Sequence, residues 1–266
     1  LNIYSYEIKS QLRTYIIWSV SILVVFLIFM SGLYHVFMDS RADVEKAYSG
    51  FPPAFSAAFG IVIEQIFTYG GFFQFIYTYI AIIGAIMAAA VAISAFSREK
   101  RSKCVDFLLT KPVGRGAIFT AKLLAGLTML AVTNILFVAV SILVHNGSGQ
   151  DAAQLDRAVW ASCALFFMQL VFLSIGALYA TFAKKVRSVP GIATALGFAG
   201  FILSALYSLL REDAIRFISP LTYFQPYAVF STGGFETRYA VTAAAVAVAC
   251  IGLSYVKYCK YDVPAL

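Results

Sequence analysis

Six runs of mostly apolar residues, at about 15–34, 76–96, 118–144, 160–182, 189–210 and 239–256, constrain this chain more than any other feature. A helix needs ~18–20 apolar residues to cross a bilayer, and none of the six carries Asp, Glu, Lys or Arg near its middle. Hydrophobic residues make up 61% of the 266 and charged residues only 12%, about half the charged share of a soluble domain. The fold class that follows is an all-α polytopic membrane protein with six transmembrane helices in a single transmembrane domain, 1–266.

Charge orders the spans. Residues 2–13 predict a short amphipathic helix on the membrane surface, with Ile3, Tyr4, Ile8 and Leu12 towards lipid and Glu7, Lys9, Gln11 and Arg13 towards water. This stretch does not resemble a cleavable leader, because the run behind it is long enough to remain as a span. The longest inter-span segment, 37–73, contains an apolar stretch at 54–67 that is short for a span and carries Glu64 and Gln65. It predicts an amphipathic helix on the outer face. With the N-terminus inside, fourteen basic residues fall on the inner side, and Arg41, Lys46, Arg157, Arg211, Arg216 and Arg238 fall outside. A seventh span at 54–67 would move the whole basic cluster of 98–115 outside, against the inside bias of positive charge. The reading is therefore a multi-pass protein of the cell membrane with both termini cytoplasmic. Its net charge of +7 reflects insertion rather than nucleic-acid binding.

Soluble-enzyme chemistry finds no foothold. Cys104, Cys163, Cys250 and Cys259 have no ligand-like spacing, and His35 and His145 lie far apart, so no metal is expected. There is no phosphate-binding GxxxxGK[ST] loop, no HExxH and no GxSxG, and Gly114-Arg115-Gly116 lacks the third glycine of a dinucleotide fingerprint. No catalytic residue or cofactor is assigned to this chain. Ion-coupled carriers rely on charged groups at membrane depth, and the only candidate here, Lys122, lies at a span end where it can snorkel to the interface. Thr133 and Asn134 in the third span, and Gln169 and Ser174 in the fourth, fit two readings, a polar lining of a translocation path or hydrogen bonds between helices. Small residues recur at four-residue spacing at Gly84, Ala88 and Ala92, at Gly176 and Ala180, and at Gly191, Ala195 and Ala199. Such stripes let helices approach closely, within the chain or across a dimer.

Between the second and third spans stands SREKRSKCVDFLLTKPVGRGAIFTAK, residues 97–122, with seven of the twenty basic residues. Cys104, Val105, Leu108 and Leu109 share one helical face, opposite Lys103, Asp106 and Thr110. Pro112 disfavours helix at Lys111, and Gly114 and Gly116 predict a turn before the third span. A short amphipathic helix with charge on both sides suits the groove of a partner protein.

This segment resembles the signature of type-2 ABC exporter permeases, a hydrophobic–acidic–Leu-Leu–Ser/Thr–x–Pro-Val–small–Arg motif followed by a lysine at the start of the next span. Here it reads Val105-Asp106-Phe107-Leu108-Leu109-Thr110-Lys111-Pro112-Val113-Gly114-Arg115, with Lys122 after it. The family's paired glutamates stand as Glu99-Lys100 and its Gly-Thr as Lys103-Cys104. The N-terminal elbow helix, large first outer loop and six spans are similar too. The resemblance implies a permease that forms the translocation path of an ATP-driven exporter as a dimer with a second copy or a homologous permease. It implies two separate ABC ATPase subunits that bind ATP and magnesium, docked on a cytoplasmic coupling helix. The ATPase-coupling residues it implies are Glu99, Val105, Asp106, Leu108, Leu109, Lys111, Pro112 and Arg115, and Asn134 and Gln169 are candidate polar residues of the path. The alternative is a membrane scaffold or accessory subunit without its own path. An intramembrane enzyme would need converging reactive groups at membrane depth, which the spans lack.

Overall fold

The computed structural model describes residues 3–50, 52, 61, 63–102, 114–151 and 154–260. The regular structure among them is helical: α1 (Ile3–Leu27), α2 (Tyr34–Asp39), α3 (Arg41–Ser49), α4 (Ile63–Ile66), α5 (Tyr69–Ser102), α6 (Arg115–Gly147), α7 (Leu155–Phe182), α8 (Val189–Leu210), α9 (Asp213–Ile218), α10 (Pro226–Thr232) and α11 (Thr237–Cys259). A π-helical stretch, Ile28–Leu33, joins α1 to α2 in one continuous rod. Six helical stretches are long and apolar enough to cross a membrane: Ile3–Asp39, Tyr69–Arg98, Arg115–Gly147, Leu155–Phe182, Val189–Leu210 and Thr237–Cys259. Each contains one of the six expected runs.

The first span departs from the sequence reading. Neither Gly nor Pro occurs from Ile3 to Leu27, and the helix runs through without a break between a surface segment and a span. Its polar residues do not face water as a set. Glu7, Gln11, Tyr15 and Ser19, four apart, form a buried stripe, while Leu12, Ile16 and Ile17 are exposed. Of the predicted outer helix at 54–67, residues 54–60 and 62 lie outside the described residues, and α4 supplies a single turn.

Helices α5 and α7 form the centre of the bundle and are buried along most of their length. The first, fifth and sixth spans are largely exposed. Small residues set the central spacing. A Cβ on Gly176 would lie 2.9 Å from the Ala89 carbonyl oxygen, and one on Gly84 would lie 2.8 Å from Leu165 Cδ1. Two of the three small-residue stripes therefore pack within the chain. On α8 it is Ala193, Gly197 and Gly200 that face inwards, while Gly191, Ala195 and Ala199 are exposed. Helix α8 begins at Ser188, whose Oγ accepts the Gly191 N–H at 3.2 Å, with Pro190 in the first turn where its missing N–H costs nothing. It ends at Arg211 in the left-handed region, φ 53°.

At 34 residues, α5 is about 50 Å long, well beyond the ~30 Å of bilayer hydrocarbon. Its last turns, with Arg98, Lys100 and Arg101, come together with the start of α1 and α6 and the ends of α7 and α11. We call this the basic end. At the opposite end, α9 and α10 fold back onto the bundle. Arg157 Nη1 donates to the Phe230 carbonyl at 2.8 Å, and the Phe230 ring packs on Tyr69 and Phe73.

Candidate functional site

The expected coupling residues Val105, Asp106, Leu108, Leu109, Lys111 and Pro112 fall in 103–113, outside the described residues. What the structure describes is how both flanks of that segment are held. Glu99 lies in the last turn of α5, and Arg115 is the first residue of α6 after the Gly114 cap. Arg115 Nη1 donates to the carbonyl of Cys259, the last residue of α11, at 3.3 Å. Gly116, expected in a turn, is helical. Its missing side chain admits Tyr255 of α11, whose hydroxyl would lie 2.8 Å from a Cβ there.

On the other flank, Lys100 Nζ donates to the carbonyls of Ala180, Thr181 and Ala183 at 3.0, 2.9 and 3.1 Å. These are the orphan acceptors at the end of α7, where the helix dipole is negative, so a cation is favoured twice over. Between the flanks sits a buried ion cluster. Glu7 of α1 pairs through Oε1 with Lys122 Nζ and through Oε2 with Arg98 Nη1, each at 3.1 Å. Lys122 also donates to the Ala95 carbonyl, and the Arg98 guanidinium lies over the Tyr6 ring at 5.5 Å. Glu7 is 2% exposed and Lys122 1%. Lys122 thus does not snorkel, and Glu7 does not face water. A charge is buried only when paired and hydrogen-bonded, and here one carboxylate serves two cations from two other spans.

The buried stripe of α1 continues the contact with α6. Tyr4 donates to Thr128 Oγ1 at 2.9 Å, and the hydroxyls of Ser19 and Tyr15 meet Thr133 Oγ1 at 2.8 and 3.1 Å. A signal for this was present. Glu7 is the only acidic residue before Asp39, and polar residues recur at 7, 11, 15 and 19, the spacing of one helical face.

The two path candidates behave differently. Asn134 Nδ2 donates to the Ser162 carbonyl at 3.4 Å, a bond from α6 to α7. Gln169 is fully buried on α7 opposite Gly84, and both of its amide atoms lack a hydrogen-bond partner among the described residues.

A six-span helical bundle whose basic end clamps the flanks of a charged inter-span segment defines the chain as a multi-pass membrane protein. Residues 1–263 match the model described as ABC-2 family transporter protein, and the chain belongs to that family of ABC transporter permeases. It is a multi-pass membrane component of an ABC transporter, the transport part and not the catalytic one. No curated protein matches the chain.

Proposed function

We propose that this chain is one permease half of an ATP-driven exporter in the plasma membrane, with its basic end cytoplasmic. Two such halves, identical or homologous, enclose the path, and two separate ATPase subunits dock on residues 99–115. The observation that carries this reading is the clamping of both flanks of 103–113. Lys100 holds the end of α7, Arg115 the end of α11, and Arg98 and Lys122 converge on Glu7 of α1. A push on the segment is thereby delivered to all these spans together. The outward-facing Gly191, Ala195 and Ala199 stripe of α8 supports close approach of a second permease. Gln169 is the stronger candidate for the path, because its unsatisfied amide carries a desolvation cost that a passing polar group would relieve.

Docking through Val105, Leu108 and Leu109 rests on apolar burial, because exposed charge pairs add only ~0–1 kcal/mol each. Leu108→Asp with Leu109→Asp is expected to abolish ATPase capture and transport in membranes, whereas Lys111→Ala weakens them modestly. Intact capture and transport in the double variant would refute the coupling assignment. Co-purification with a protein other than an ABC ATPase would favour a scaffold.

A further inference from the structure

The link between α7 and α8, 183–188, carries Lys184, Lys185 and Arg187, all exposed, around a buried Val186. Val186 pins the link to the bundle, so its three cations reach little beyond the helix ends. A fourth cation comes from α11, where the exposed Lys257 has its ammonium 5.9 Å from the centroid of the Phe182 ring. Among the described residues, no Asp or Glu occurs in 157–211 or in 239–260. Among the described residues, none of the four cations pairs with a carboxylate. The neighbouring acceptors are also occupied, because the last carbonyls of α7 already receive Lys100. Four like charges at one corner, with no carboxylate partner among the described residues, favour an anion from outside.

The surroundings select the kind of anion. Phe182 at 53%, Leu253 at 56% and Val256 at 49% are exposed on the sides of the span ends, next to the cations. A ligand that satisfies both surfaces carries a negative head group joined to hydrocarbon. A protein arriving from water would meet the charges and leave the apolar flank uncovered. We propose that the corner formed by Lys184, Lys185, Arg187 and Lys257 is a binding site for an acidic phospholipid, its phosphate among the cations and its acyl chains along Phe182, Leu253 and Val256. This goes beyond ATPase coupling and does not depend on it.

The test uses the purified full chain in phosphatidylcholine nanodiscs, titrated with phosphatidylglycerol, with bound lipid counted by native mass spectrometry and stability followed by thermal unfolding. Phosphatidylglycerol is expected to bind and raise the melting temperature. A variant with Lys184→Gln, Lys185→Gln, Arg187→Gln and Lys257→Gln is expected to bind it roughly six-hundredfold more weakly, because each cation near a lipid surface contributes roughly a fivefold factor. Lys185→Gln and Arg187→Gln are also measured singly, each with about a fivefold loss, so that misfolding of the quadruple variant cannot hide the effect. Arg41→Gln with Lys46→Gln, at the opposite end, is expected to leave binding unchanged. The proposal is overturned if that control weakens binding equally, if phosphatidylcholine stabilises as well, or if inorganic phosphate reproduces the effect. It is also overturned if the quadruple variant keeps the lipid but loses ATPase capture, which would assign the patch to a protein partner.

Discussion

Replacing Glu7 by glutamine tests whether the buried ion cluster holds the first span to the second and third. The substitution keeps the shape and removes the only carboxylate shared by Lys122 and Arg98. Lys122, 1% exposed, is left as a buried cation without its carboxylate, still donating to the Ala95 carbonyl. Removing one member of a buried pair costs ~3–5 kcal/mol, and a glutamine oxygen still able to accept from Lys122 places the cost near 3. For a chain of this size that is a fall of about 6–12 °C in melting temperature. Lys122→Met is expected to cost less, about 1–2 kcal/mol, because Glu7 keeps Arg98, which is partly exposed and partly hydrated. The double variant is expected to lie closer to the parent than Glu7→Gln alone. Thermal unfolding of the four proteins in one lipid mixture gives the coupling energy directly. Additive losses, or a Glu7→Gln effect within the ±0.5 kcal/mol of an ordinary surface change, would refute a buried cluster and return Glu7 to the water-facing side of the helix.

Lys100→Met removes three carbonyl bonds at the end of α7 and is expected to cost about 1–3 kcal/mol, with faster hydrogen exchange in the last turn of that helix as the local readout. The glycines divide by what they touch. Gly176→Ala drives a Cβ against the backbone of Ala89 and is expected to cost about 1–3 kcal/mol in thermal unfolding, whereas Gly116→Ala meets only the movable end of Tyr255 and should cost under about 1.

The spans were legible because uninterrupted hydrocarbon has a single use at that length. The basic end was legible in composition but not in geometry. Lys122 reads as an interfacial residue until Glu7 arrives from 115 positions away, and no local rule says which neighbour a helix will acquire. Glu7 itself shows why a short polar leader misleads. Dividing Ile3, Tyr4, Ile8 and Leu12 from Glu7, Lys9, Gln11 and Arg13 suggested a surface helix, while the four-residue period of Glu7, Gln11, Tyr15 and Ser19 described the face that packs. Gly116 misled in the same way: glycine next to a turn suggests conformational freedom, yet its role is to lack a side chain beside Tyr255. Small-residue spacing at Gly84 and Gly176 marked a close approach of helices, and the structure places it within the chain, at the central seam.

The π-helical stretch at Ile28–Leu33 sets the rotational phase of the first span. Its buried positions run 7, 11, 15, 19, 22, 26, 30 and 34. In an α-helix each step of four overshoots a full turn by about 40°, so three in succession would swing Tyr34 far round the rod. The single step of three, from Ser19 to Ile22, resets the phase once. The wider turn of the π-helix absorbs the rest and delivers Tyr34 to Tyr69, Phe72 and Gln150. One rod thus presents a charged polar face at one end and an aromatic face at the other, both towards the same partners. Losing a single residue between 28 and 33 would turn the far end by about 100° while leaving the Glu7 end in place.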